Sequence, residues 1–167
     1  MFQIGDTVRY GQAGVCTVQE IREMAISGTA QRYYVLLPLF KTGSLVYVPM
    51  ENKELVGRML PPLTREEADA VLKAVREQKA EWIRDFRRRS EFAKKALSSG
   101  DRTEAMLLIK SIYAHKKETM GMSVRIHTTD DYFLKDAEAL IYSEFAYAYG
   151  RSVEEVSAEL RAILKEE

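Results

Sequence analysis

Two adjacent prolines, Pro61 and Pro62, divide this chain into stretches that follow different rules. Proline has no N–H to give a ladder or a helix, and it disfavours helical geometry in the residue before it. The MLPPL run at 59–63 is therefore a stiff break. Before it, apolar residues alternate; after it, they recur every three or four positions. The chain reads as α+β in three parts: residues 1–58, a proline-rich linker at 59–63, and residues 64–167. With 167 residues, 46% of them hydrophobic, there is enough apolar material for two small cores.

The first part reads as short strands. Val8 and Tyr10 share one face of a strand near 6–10, and Cys16 and Val18 share one face of a strand near 14–21. The RYYVLL run at 32–37 and the SLVYV run at 44–48 are rich in β-branched and aromatic residues. Turn chemistry separates them at 11–14, at Ser27-Gly28 and at Thr42-Gly43. Pro38 and Pro49 should each end or interrupt a strand. So many short strands in under sixty residues predict a small, strongly bent β-barrel of SH3 or Tudor type.

The remainder predicts an all-α bundle of about five helices. Thr64 and Glu67 form a capping box for a helix to about 78. A second helix spans 80–97 and stops at Ser98-Ser99-Gly100; a third is capped by Asp101 or Thr103 and runs to about 119. A fourth, capped by Thr128 or Thr129, reaches Tyr149 and closes at Gly150. Ser152 and Glu155 open a fifth. The longest apolar runs are too short to span a membrane, and no signal peptide is expected. The expectation is a soluble, cytoplasmic protein.

Little in the chain suggests catalysis. His115 and His127 have no metal-ligand spacing, and Cys16 is the only cysteine. No glycine-rich phosphate loop or G-x-S-x-G elbow occurs. Cys16 reads as a small buried hydrophobe and His115 as a solvated surface residue. No enzyme activity, cofactor or metal is expected.

The formal net charge is zero, yet residues 76–117 carry +6 and residues 118–167 carry −6. Mutual neutralisation between packed helices is the plainer explanation; an anion-binding surface is the alternative. On a helical wheel Trp82, Phe86, Ala93 and Leu97 share an apolar side, while Arg84, Arg88 and Lys95 lie opposite and Arg87 flanks. Trp82, the only tryptophan, reads either as a core residue or as an exposed aromatic wedge beside cations that follow a phosphate backbone. Lys110 can extend the same surface, or serve only solubility.

At this point the chain resembles a known family, the CarD-type bacterial transcription regulators, whose N-terminal module is shared with the transcription-repair coupling factor. The resemblance is carried by IGDTVRY at 4–10, Gly14-Val15, YVL at 34–36 and YVPMEN at 47–52. It continues with Trp82 followed by Arg84, Arg87 and Arg88, and with SSGD at 98–101. It implies a Tudor-like domain that binds the RNA polymerase β subunit, joined to a helical domain that binds promoter DNA at the upstream edge of the transcription bubble. There the family's tryptophan wedges into the minor groove and slows bubble closing.

Carried onto this sequence, the implied DNA-binding set is Trp82, Arg84, Arg87, Arg88 and Lys110. At two positions where the family often places polymerase-binding arginines, this chain has Met24 and Tyr47. Strand pairing through Val46, Tyr47 and Val48 is the remaining route to the polymerase. The expected protein is a monomeric, non-enzymatic regulator that stabilises the open complex. The alternative is a protein–protein adaptor with no direct DNA binding.

Overall fold

A computed structural model describes residues 1–41 and 43–166. The chain forms two compact units, Met1–Pro62 and Leu63–Glu167. No helix among the described residues is long and apolar enough to cross a membrane.

The first unit has strands β1 (Thr7–Tyr10), β2 (Gly14–Ala25), β3 (Ala30–Pro38), β4 (Val46–Pro49) and β5 (Met59–Leu60), and a one-turn helix α1 (Lys53–Gly57). They build one antiparallel sheet in the order β4-β3-β2-β1-β5. Pro38 and Pro49 are the last residues of their strands. A short 3₁₀ turn, Gly11–Ala13, joins β1 to β2. Of the third expected turn, Thr42 lies outside the described residues, and Gly43 has a φ of +100°, open to glycine alone without strain.

The expected barrel is not closed. Among the described residues, β4 and β5 each pair with a single neighbour and not with each other. The reason lies in the chain between them. After Pro49, Asn52 caps α1 by accepting the Leu55 N–H (3.1 Å), so the chain turns helical where a longer closing strand would be needed. Leu55 and Val56 of α1 pack on the core of Val8, Cys16, Val18, Tyr34, Leu36, Val48 and Met59. A helical turn thus covers apolar surface that closure would bury. Met59 and Leu60, read above as the start of the linker, form β5, and Arg9 Nε ties the next residues down by donating to the Pro61 carbonyl (3.0 Å).

A bulge breaks the β2–β3 register between Val18 and Glu20, with Gln19 the extra residue. It adds local twist. Beyond it, the outer half of β2 pairs with the start of β3 as a two-stranded arm, Met24 opposite Gln31.

Among the described residues, the second unit holds five helices: α2 (Arg65–Glu77), α3 (Phe86–Ser98), α4 (Arg102–Glu118), α5 (Thr128–Tyr149) and α6 (Val153–Lys165). The Thr64–Glu67 capping box forms in both directions. Asp101 caps α4 by accepting the Thr103 N–H, Ser152 caps α6, and Gly150 ends α5 in the left-handed conformation. The start of α5 differs from expectation: the cap is His127, whose Nδ1 accepts the Thr129 N–H (3.1 Å). The core is built on Leu97, Met106, Ile109, Ile112, Ile141, Phe145 and Leu160. The buried ion pairs Arg102–Glu144 and Arg89–Asp130 cross it, both anchoring α5.

Candidate functional site

The largest departure from the sequence reading concerns Trp82. It is not helical: α3 begins at Phe86, and residues 79–85 form an irregular segment. Asp85 is the cause. Its carboxylate accepts the Arg88 N–H (2.8 Å) and fixes the helix start there. The wheel that placed Trp82 and Arg84 on opposite sides of a helix therefore does not apply to them.

Trp82 is half-buried against the helical core, and its ring is held on two sides. The His115 ring stacks on it with centroids 3.8 Å apart and planes 1° from parallel. The Arg89 guanidinium carbon lies 4.4 Å from the indole centroid. Two planar groups that close would overlap on one face, so they take opposite faces. His115 is therefore a partner of Trp82 and not the solvated residue expected from sequence.

Arg89 is itself buried and fully engaged. Nε and Nη2 donate to the two Asp130 oxygens (2.8 and 2.7 Å), and Nη1 donates to the carbonyls of Ile83 (2.9 Å) and Arg84 (3.2 Å). The same guanidinium lies 5.4 Å from the Phe86 centroid. Phe86 in turn rests on His127, at 4.2 Å and 35°. Arg89 thus lies against both Trp82 and Phe86, and each of those rings is backed by a histidine. The carbonyls it binds belong to the residues just after Trp82, so Arg89 fixes the backbone and the ring together.

Three of the predicted cations lie close to this clamp along the chain. Arg84, Arg87 and Arg88 are exposed, and the first turn of α3 contains no acidic side chain. The partial positive charge of the helix N-terminus is offset by the Asp85 carboxylate that caps it. Arg87 pairs with Glu91 at 3.4 Å, but both side chains are more than two-thirds solvated (88% and 67%), so the pair holds Arg87 weakly. Lys110 does not belong to this group. Its ammonium donates to the carbonyls of Val75 (2.9 Å) and Gln78 (2.5 Å), capping the end of α2. It ties the end of α2 to α4 while remaining half-exposed.

The polymerase-binding candidates lie in the other unit. Among the described residues, β4 is an edge strand bonded only to β3. Met50, opposite Arg32, donates its N–H to the Arg32 carbonyl (2.9 Å). Bonded and non-bonded pairs alternate along an antiparallel ladder. Val46 and Val48 therefore turn their backbone groups toward β3, and Tyr47 and Pro49 turn theirs outward. Pro49 has no N–H, and its carbonyl accepts from Asn52 (3.2 Å). Within β4, Tyr47 is thus the residue that offers both a donor and an acceptor to an incoming strand, and its side chain is 39% exposed. The Val48 side chain is fully buried and can contribute only backbone. Met24 does not join them: it sits in the β2–β3 arm, with β3 between it and β4.

Sequence reasoning missed Arg89, Asp130, His115, His127 and Phe86 as a set. Forty-one residues separate Arg89 from Asp130, and no local pattern announces such a pair. Among the described residues, no group of three His, Cys, Asp or Glu side chains is arranged to hold a metal ion.

One comparison with known proteins bears on the first unit. The residues that form the β4 edge and the α1-covered core fall within a match to a family model spanning residues 2–60 and described as the CarD-like/TRCF RID domain. Residues 2–60 are therefore similar to the CarD-like/TRCF RID domain family, and the likeness covers the N-terminal unit alone.

Proposed function

We propose that this chain is a non-enzymatic transcription regulator that binds the RNA polymerase β subunit and promoter DNA at the upstream edge of the bubble, and that it holds the open complex. Its first unit supplies the polymerase contact through the outward edge of β4. Its second unit supplies the DNA contact through Trp82, Arg84, Arg87 and Arg88. Neither contact need be strong alone, because tethering raises the local concentration of the second site.

The observation that carries this reading is the clamp on Trp82. An indole fixed between His115 and Arg89, half-exposed and close in sequence to three exposed arginines, is preorganised next to phosphate-attracting side chains. With both faces taken, it does not stack flat on a base. It presents its edge, which suits prising apart a base step from the minor groove. Unstacking costs a few kcal/mol per step, so the wedge acts best where the duplex is already opening. Holding open DNA more tightly than closed duplex shifts that equilibrium.

The test is the lifetime of open promoter complexes on purified bacterial RNA polymerase, with the wild-type chain, with Trp82→Ala and without the factor. The wild-type chain should lengthen the lifetime, and Trp82→Ala should return it toward the factor-free value. An unchanged lifetime with Trp82→Ala, in a variant that melts like wild type, would remove the wedge.

The half-burial of Trp82 favours a second reading, in which the clamp is only core and the chain is an adaptor between proteins. Salt separates the two. Three arginine–phosphate contacts give a log–log slope of DNA affinity against salt of about −2.7. An adaptor has no DNA affinity to titrate.

A further inference from the structure

Phe86 is the first residue of α3, and it is 41% exposed. A phenyl ring caps no backbone group at a helix start; that task belongs to Asp85. Yet the ring is not loose. The His127 ring supports it at 4.2 Å with a tilt of 35°. His127 is itself fixed, because its Nδ1 accepts the Thr129 N–H (3.1 Å) at the start of α5. The Arg89 guanidinium lies 5.4 Å from the Phe86 centroid and 4.4 Å from that of Trp82, so the two rings share one buried arginine. Asp130 of α5 holds that arginine in turn. The starts of α3 and α5 are thus locked together beside an aromatic ring that remains in water.

Cations stand on both of the chain segments that meet here. Arg84, Arg87 and Arg88 are within two residues of Phe86, and Arg125 is two residues before His127; all four are exposed. Two residues span about 7 Å of chain at most, which an arginine side chain covers. Among the described residues, Arg84, Arg88 and Arg125 enter no ion pair, and Glu91 holds Arg87 weakly. The carboxylates within four residues of Phe86 or His127 are committed: Asp85 caps α3, Asp130 pairs with Arg89, and Asp131 pairs with Lys116 and Lys135. Arginines alone would take any phosphate backbone. The ring makes the difference. Both faces of Trp82 are covered, whereas Phe86 has His127 as its ring partner and stays exposed.

We propose that Phe86 is the stacking platform for an unpaired base at a DNA fork, with Arg84, Arg87 and Arg88 on the phosphates to one side of that base and Arg125 on those to the other. This rests on the DNA reading above and deepens it. Trp82 presents its edge to a duplex step, and the base that leaves the stack is received by Phe86. Every base has a π-face, so the platform selects an unpaired strand and not a sequence.

Fluorescence anisotropy of the full chain tests this without polymerase, using a blunt duplex and the same duplex with an unpaired thymine arm. The forked DNA should bind about tenfold more tightly than the duplex. Phe86→Leu keeps apolar bulk against His127 but cannot stack on a base. It should erase the fork preference and leave duplex affinity and melting as in wild type. Phe86→Tyr should keep the preference. Arg125→Ser should lower the slope of log affinity against log salt for the fork by about 0.7. Duplex binding without a fork preference overturns the proposal and leaves the duplex wedge standing. A preference that survives Phe86→Leu overturns it too, because the base is then held elsewhere. An unchanged salt slope with Arg125→Ser overturns the role given to that residue. Binding to neither DNA removes the DNA reading itself, and this proposal with it.

Discussion

Arg89 joins three parts of the helical unit. It neutralises Asp130, satisfies two carbonyls after Trp82 and covers one face of the indole. Removing one partner of such a buried pair strands the other charge in a poorly solvated site, at a cost of about 3–5 kcal/mol. Arg89→Met should therefore lower the urea stability of the helical unit by about that amount and change the fluorescence of Trp82. Adding Asp130→Leu should restore part of the loss, since replacing both charges leaves none stranded. A single variant that loses less than about 1 kcal/mol would show that water reaches Asp130 and that the clamp is loose. This residue was hidden within its own sequence context. Four arginines stand at 84, 87, 88 and 89, and nothing local distinguishes the buried one from the three exposed ones. Only the distant Asp130 does.

At the scale of elements, caps and turns were the readable signals and strand closure was not. Thr64, Asp101, Gly150 and Ser152 mark boundaries because each satisfies free backbone groups locally. Asp85 does the same for α3, but Trp82 and Phe86 fall at helical spacing and mask it. Closure of the sheet depends on what α1 covers, a tertiary matter that alternation cannot reveal. The β4 edge carries a prediction of its own. Tyr47→Pro deletes an outward N–H without touching the ladder to β3, in a strand that already accepts Pro49 at the next outward position. A partner carbonyl left without its donor costs about 1–3 kcal/mol. Tyr47→Pro should thus weaken binding to a polymerase β fragment by about tenfold or more, with little change in melting. Tyr47→Ala removes the side chain but keeps the N–H. If the two variants bind alike, the partner reads the side chain, and strand pairing is not the mode of contact.

Over the whole molecule, the helical unit is fastened by phenols in a way that ties its stability to alkaline pH. Tyr113 of α4 donates to Glu138 (2.6 Å) and shares a hydrogen bond with Tyr142 of α5 (2.7 Å); Tyr149 of α5 donates to Asp69 of α2 (2.8 Å). Burial, and then hydrogen bonding to a carboxylate, pushes the Tyr113 and Tyr149 phenols well above the ordinary value of 10.0. Burial also raises Tyr142. A group whose folded pKa is raised contributes stability that is complete below its unfolded pKa and lost as pH climbs from there toward the folded value. The helical unit should accordingly hold its stability up to about pH 10 and lose it progressively above. The phenolate absorbance of these residues should then appear together with the loss of helical circular dichroism, because a phenolate cannot donate to Glu138 or Asp69. Tyr113→Phe removes the raised group and should flatten the alkaline loss, whereas a smooth phenolate titration with the helices intact would mean that these hydrogen bonds do not fasten the bundle. In the first unit, the described phenol with a raised value is Tyr10, which burial pushes up and Arg58 partly offsets. The sheet should therefore depend on alkaline pH less than the bundle does, and the two units should be distinguishable by pH alone.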